Sequence, residues 1–161
     1  MGNRINDKLL LGALGAAAFI AARYVFRQAN AYSFRGRVVL ITGGSRGLGL
    51  LIARELAGEG ARLAICARDE DELQRAQEEL SALTEVVAVP CDVSDRRQVE
   101  AFVQAAQNHF GQIDLLINNA GTIAVGPMNV MTVEDYQQAM QVHFWGPLYA
   151  VLAVLPEMRR R

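Results

Sequence analysis

A glycine-rich turn at residues 42–49, which reads Thr-Gly-Gly-Ser-Arg-Gly-Leu-Gly, has the composition of a phosphate-binding site. It follows the apolar run 38–41, typical of a short buried strand, and precedes a segment with helical periodicity. A strand that leads through such a turn into a helix places backbone N–H groups where a pyrophosphate can bind. We expect Gly43 to permit the tight turn, Gly47 to let phosphates approach the backbone, and Gly49 to let the helix pack closely on the sheet.

Three further motifs follow later predicted strands. Ala67-Arg68 comes about twenty residues after the turn, Cys91-Asp92-Val93 follows the third predicted strand, and residues 118–121, Asn-Asn-Ala-Gly, follow the fourth. The carboxyl ends of parallel strands meet at one edge of a sheet, where nucleotides bind in open α/β folds. The four motifs therefore predict one shared nucleotide site.

The order and spacing of these motifs resemble the short-chain dehydrogenase/reductase family, from roughly Arg35 to the end of the chain. The resemblance implies an oxidoreductase that transfers a hydride between a nicotinamide cofactor and a small-molecule carbonyl or secondary alcohol. It also implies that Asp92 binds the adenine amino group and that Leu48, Thr122 and Ile123 lie near the cofactor. The stretch 118–121 is implied to brace the sheet and lie along the cofactor, with Asn118 structural and Asn119–Gly121 lining the site. The predicted cofactor-binding residues are Gly43, Ser45, Arg46, Gly47, Leu48, Gly49, Arg68, Asp92, Val93, Asn119, Ala120 and Gly121.

The residues after the second strand indicate the choice of cofactor. A site for NAD usually has an Asp or Glu there to bind the ribose 2′-hydroxyl, but this chain has Ala67 and Arg68. Arg46 and Arg68 can both pair with a 2′-phosphate, and the family uses basic residues at these positions for NADP(H). We therefore predict NADP(H). The alternative is that Arg68 is a solvated arginine ahead of the acidic run 69–72.

His143 is the candidate catalytic residue. The family commonly has an Asn at the aligned helix position, where it holds a water in a proton relay, and a histidine can likewise donate and accept hydrogen bonds. The alternative is a helix histidine that packs beside Phe144 and Trp145.

The family's catalytic Ser, Tyr and Lys cannot be assembled from this sequence. The family lysine lies four residues after the tyrosine and lowers its pKa, but the only lysine here is Lys8. We therefore expect the chain to be the cofactor-binding half of a reductase, truncated before the catalytic region. The alternative is a non-catalytic NADP(H)-binding module or an inactive fragment.

The elements that must position these motifs alternate along the chain. Strands and helices in alternation predict a Rossmann-type, doubly wound parallel sheet, incomplete at the C-terminus and preceded by an N-terminal apolar helix. Ser94 is the predicted N-cap of the third helix, and a Thr132/Asp135 capping box is expected to open the last one, which reaches toward Met158. Predicted strands are Arg37–Thr42, Arg62–Cys66, Val86–Val89 and Ile113–Ile117; predicted helices are Leu48–Ala57, Asp69–Leu83 and Asp95–Phe110.

Composition limits the remaining possibilities. The net charge of −1 over 161 residues gives no reason to expect nucleic acid as a partner. Cys66 and Cys91 form no Cys-x-x-Cys motif and no cluster with histidine, so we expect buried, reduced thiols and no metal site. The resemblance implies a homo-oligomer for the full-length parent protein.

The N-terminal region, residues 1–27, is predicted as an apolar helix ahead of a nucleotide-binding domain at 28–161. The uncharged run Leu9–Ala22 would be about 21 Å long as a helix, shorter than a typical bilayer core. It is interpreted as a membrane or signal anchor, as a helix packed on the domain, or as a cleaved signal peptide. The arginines that follow it favour a cytoplasmic domain, free or anchored to a membrane.

Overall fold

The central sheet consists of four parallel strands. The structure, a computed structural model, describes residues 32–160, so the predicted N-terminal helix lies outside the described residues. Within the described part, the strand order is β3-β2-β1-β4, with β4 at an edge. The strands are β1 (Val38–Thr42), β2 (Arg62–Ala67), β3 (Val86–Pro90) and β4 (Leu115–Asn118).

Helices alternate with these strands and cover both faces of the sheet. This arrangement confirms the predicted doubly wound α/β fold. The helices are α1 (Gly47–Gly58), α2 (Glu70–Ser81), α3 (Arg96–Phe110), α4 (Val133–Met140) and α5 (Gly146–Met158), with a π-helical turn at Gln141–Trp145 between the last two.

Two hydrophobic cores flank β1, because successive side chains of a strand point to opposite faces. Val39 and Ile41 pack with buried residues of α1 and α2, whereas Val38 and Leu40 pack with buried residues of α3 and α5. Every residue of β1 is buried. Each large aliphatic side chain buried in this way contributes about 1.5–3 kcal/mol, so β1 is held firmly.

Side-chain caps fix the starts of three helices. Asp69 caps α2, and the predicted capping box between Thr132 and Asp135 is present at α4. The prediction of Ser94 as the cap of α3 was wrong. Asp95 is the cap and accepts the Arg97 N–H at 2.8 Å, while Ser94 donates to Asp92 instead. Aspartate caps as well as serine does, and here it directly precedes the helix.

The last helical run departs from the single helix that we predicted. The π-helical turn precedes Gly146, which packs so closely that a Cβ there would lie 3.0 Å from the Val93 carbonyl oxygen. By length and composition alone, the run Val133–Met158 is apolar enough to span a membrane, but core helices of soluble proteins pass the same test. In this fold Ala150 and Val154 of α5 are buried in the core that contains α3.

Candidate functional site

A cleft of about 930 Å³ opens at the carboxyl ends of the four strands. The residues that follow β1, β2, β3 and β4 form its wall together with part of the π-helical turn. The structure therefore brings together all of the residues that we predicted from four separate motifs. Those in the wall are Gly43, Ser45, Arg46, Gly47, Leu48, Gly49, Arg68, Asp92, Val93, Asn119, Ala120, Gly121 and His143, with Thr122 and Ile123.

The glycine-rich turn needs glycine for two different reasons. Gly43 and Gly47 have φ values of +68° and +55°, in the left-handed region that other residues rarely adopt. Gly49 is required for close packing, since a Cβ there would lie 2.0 Å from the Gly43 carbonyl oxygen. The start of α1 thus packs on the backbone of the turn at the point where the chain leaves β1.

Asn119 braces the turn against the end of β4. Its amide nitrogen donates to the carbonyl oxygens of Thr42 at 3.0 Å and Gly43 at 2.9 Å. The buried Thr42 hydroxyl accepts the backbone N–H groups of Asn119 and Ala120, both at 3.1 Å. Within the stretch 118–121 it is therefore Asn119 that makes the bracing hydrogen bonds to the turn, whereas Asn118 is exposed at the end of β4.

The N-terminus of α1 is suited to an anion. Arg46 occupies the N-cap position in an extended conformation but makes no side-chain capping bond, and the first turn holds no acidic residue. By contrast, Asp69 and Asp95 satisfy N–H groups at the starts of α2 and α3. The first residues of α1, Gly47–Gly49, form part of the cleft wall, and the start of a helix carries free N–H groups and a partial positive charge. This arrangement fits the pyrophosphate of a dinucleotide.

Two arginines and one unpredicted acid lie at the part of the wall formed by residues after β1 and β2. Arg46 and Arg68 are exposed, and Arg46 Nη1 lies 3.3 Å from a carboxylate oxygen of Glu72. The Ser45 hydroxyl donates to the other Glu72 oxygen at 3.4 Å. In the sequence, Glu72 stands out only as a member of the acidic run 69–72. Its position three residues after the cap Asp69 was the available signal.

Asp92 serves as a turn residue as well as a wall residue. Its Oδ1 accepts the backbone N–H of Ser94 at 2.9 Å and the Ser94 hydroxyl at 2.7 Å. This oxygen is committed to the turn that leads into α3. Recognition of a base by Asp92 would therefore use its other carboxylate oxygen.

His143 reaches the cleft from the π-helical turn. Its Nε2 lies 2.8 Å from the carbonyl oxygen of Thr122, so Nε2 must carry the proton and donate. A neutral ring then keeps Nδ1 as an acceptor. Gly121 packs against the ring, since a Cβ there would lie 3.2 Å from His143 Cε1. Single π-helical turns often occur at functional sites.

One of the two cysteines, Cys91, belongs to the cleft wall. Cys66 and Cys91 are both buried and unpaired by a disulfide, as predicted. A hydrogen bond with Cys91, together with burial, raises the pKa of the Cys66 thiol well above its usual value. The Cys66 thiol is therefore expected to be a poor nucleophile at neutral pH.

Comparison with known proteins gives one consistent family. A sequence model described as short chain dehydrogenase matches residues 37–161. An Arabidopsis thaliana 11-beta-hydroxysteroid dehydrogenase-like protein is 38% identical over 128 residues, which cover 78% of this chain and 42% of the relative. A Mus musculus 3-ketodihydrosphingosine reductase is 33% identical over 162 residues, covering 95% of this chain and 49% of the relative. The chain thus spans about half the length of these curated relatives.

Solved structures agree with the sequence matches. L-sorbose reductase from Gluconobacter frateurii, complexed with NADPH and L-sorbose, superposes with a TM-score of 0.77 at 33% identity, over 80% of this chain and 50% of that one. A Burkholderia phymatum enzyme in complex with NAD gives 0.76 at 35% identity, over 80% and 46% of the two chains. The similar structures therefore include complexes with each type of nicotinamide dinucleotide.

Proposed function

The chain belongs to the short chain dehydrogenase family, and from this premise we propose that it forms the NADP(H)-binding half of an oxidoreductase. The bound nicotinamide would exchange a hydride with a small-molecule carbonyl or secondary alcohol. The observation that carries the proposal is the convergence of four separate motifs on one cleft at the strand ends. The cleft wall contains a helix start without a side-chain cap, two glycines with positive φ and two arginines.

Each part of the cleft has a separate task in this proposal. The glycine-rich turn and the start of α1 bind the pyrophosphate through backbone N–H groups. Asn119 keeps the turn in place through its two bonds to the turn carbonyls. Asp92 accepts a hydrogen bond from the adenine amino group through its second oxygen, and Arg46 and Arg68 pair with the 2′-phosphate.

His143 is proposed as a relay residue. It is exposed, and its bond to the Thr122 carbonyl fixes the ring so that Nδ1 can accept a hydrogen bond from water. A fixed acceptor beside the cleft would pass a proton between solvent and the reacting oxygen.

For these 161 residues by themselves, we propose dinucleotide binding without turnover. The specific observation is chemical: the family's proton donor is a tyrosine with a lysine four residues later, and the only lysine here is Lys8. Turnover, substrate binding and oligomerisation are therefore proposed only for a whole protein that also contains the family's catalytic residues.

Membrane attachment is a separate proposal. We propose that Leu9–Ala22 anchors the chain with the nucleotide-binding domain on the cytoplasmic side, because arginines follow this uncharged run. Extraction of expressing cells with alkaline carbonate tests the idea. An anchored chain stays in the membrane pellet, whereas release into the supernatant would contradict the proposal.

Calorimetric titration of the full chain with NADPH and NADH tests the cofactor assignment. We expect NADPH to bind more tightly, and the double variant Arg46→Ala/Arg68→Ala to lose about tenfold or more in NADPH affinity with much less effect on NADH. Arg75→Ala, an exposed arginine of α2 outside the cleft wall, is the matched control. Equal loss for both cofactors would contradict NADP(H) selection, and no binding of either would contradict the proposed function.

A further inference from the structure

Glu72 is an acidic residue of the cleft wall, where its negative charge would disfavour binding of a negatively charged phosphate. Its carboxylate contacts Arg46 Nη1 at 3.3 Å and accepts the Ser45 hydroxyl at 3.4 Å, so it occupies two groups of the cleft wall at once. The side chain is 25% exposed, whereas that of Arg46 is 77% exposed. The acid is thus the more buried member of the pair, and the arginine is the more exposed one.

The backbone holds Glu72 in this position. Asp69 caps α2 and accepts the Glu72 N–H at 2.8 Å, which sets this residue in the first turn of the helix. A carboxylate is favoured there by the positive end of the helix dipole. Glu72 therefore cannot leave the cleft wall by a movement of its own backbone without loss of the cap.

A surface ion pair of this kind contributes little to stability, about 0–1 kcal/mol. Its effect on an incoming anion is larger, because the carboxylate neutralises Arg46 and repels a second negative group nearby. A 2′-phosphate carries close to two negative charges and must take Arg46 from Glu72. A 2′-hydroxyl carries none and can donate a hydrogen bond to the same carboxylate.

We propose that Glu72 is a specificity-determining residue that competes with the 2′-phosphate for Arg46 and Ser45, and so narrows the preference for NADP(H) over NAD(H). The inference rests on the proposed function, because it assumes dinucleotide binding in this cleft. The ratio of NADP(H) to NAD(H) affinity then depends on the opposing charges of two arginines and one acid. Arg46 and Arg68 favour the phosphate, and Glu72 opposes it.

The test uses the full chain with Glu72→Gln and Glu72→Ala, titrated calorimetrically with NADPH, NADH, adenosine 2′,5′-bisphosphate and 5′-AMP. The last two probes differ only in the 2′-phosphate. We expect either variant to bind NADPH and the bisphosphate about tenfold more tightly, which equals about 1.4 kcal/mol. NADH and 5′-AMP share the free 2′-hydroxyl, so neither should bind more tightly. Both should lose affinity by about twofold or more, because that hydroxyl loses Glu72 as an acceptor. The alanine variant keeps a good helix former, so it decides the matter if the glutamine variant does not fold.

Glu70→Gln is the matched control, since it removes the same charge from the same turn of α2 but is exposed and outside the cleft wall. It should leave all four affinities nearly unchanged. An equal gain in this control would overturn the inference in favour of a general charge effect. Unchanged NADPH affinity in both Glu72 variants would also overturn it while the proposed function stands. If the unmodified chain binds neither dinucleotide, the proposed function itself fails.

Discussion

Alanine should have opposite effects at the two ends of α1. Gly49 lies at the start of this helix and Gly58 at its last residue. A Cβ at Gly49 would lie 2.0 Å from the Gly43 carbonyl oxygen and 2.4 Å from the Asn119 amide nitrogen, whereas a Cβ at Gly58 would have nothing within 4 Å. We therefore expect Gly49→Ala to destabilise the fold and Gly58→Ala to stabilise it.

The magnitudes follow from these contacts. Overpacking usually costs about 1–3 kcal/mol. We expect the upper end for Gly49→Ala, because the crowded atoms are the backbone of the turn and an amide that already makes two hydrogen bonds. Gly58 is exposed and helical, so alanine there should add about 0.5–1 kcal/mol through the lower entropy of the unfolded chain. The two variants should differ by about 4 kcal/mol in the free energy of unfolding.

Urea denaturation followed by far-UV circular dichroism measures this difference, with the free energy taken by linear extrapolation. NADPH titration of the same variants gives a second readout, since a shifted turn should also weaken binding by Gly49→Ala but not by Gly58→Ala. If Gly49→Ala unfolds at the same urea concentration as Gly58→Ala, α1 does not pack on the turn as described, and the reasoning is refuted.

Three further predictions concern the brace, one cap and the thiols. Asn119→Ala should lower the free energy of unfolding, measured in urea, by about 2–3 kcal/mol, because two turn carbonyls lose their donor. The control Asn118→Ala, at an exposed position, should change it by less than about 0.5 kcal/mol. Equal effects of the two substitutions would contradict the bracing role of Asn119. Hydrogen bonds from the start of α3, first of all from the Arg97 N–H, lower the pKa of Asp95. The contribution of Asp95 to folding stability is therefore present above the usual pKa of about 3.9 and is lost as the pH falls through the lowered pKa. Asp95→Asn should therefore flatten the loss of stability in acid unfolding, and an unchanged slope would count against this cap. The buried thiols of Cys66 and Cys91 should react with a thiol-exchange reagent such as DTNB only slowly at pH 8 until urea unfolds the chain; rapid labelling of the folded protein would disprove their burial.

The elements and the site's location could be predicted from sequence because both follow from local patterns. The apolar run of β1 and the glycines after it specify a buried strand and a left-handed turn within a few residues. Parallel strands then bring their carboxyl ends together, so motifs spread along the chain meet in one cleft. The Thr132/Asp135 capping box was predictable for the same reason, since it involves residues three apart.

The features that we missed depend on contacts between distant elements. The brace belongs to Asn119 rather than Asn118, and only the packing against Thr42 decides between neighbouring asparagines. The π-helical turn directly precedes Gly146, which packs closely on Val93. The spacing of apolar residues along a helix does not reveal such a contact with a distant residue. Likewise the ion pair of Glu72 joins two elements that are separate in sequence.

The brace has a consequence for how the protein folds. β1 pairs with β2, and β2 with β3, across short stretches of chain, but β4 must pair with β1 and bring Asn119 to a carbonyl 77 residues earlier. The entropy cost of closing a loop grows with its length, so the docking of β4 is the most demanding of these pairings. We expect the first three strands to assemble before the Asn119 brace has formed its hydrogen bonds to the glycine-rich turn. A chain emerging from the ribosome would then acquire an ordered turn only after residue 119 has left the exit tunnel.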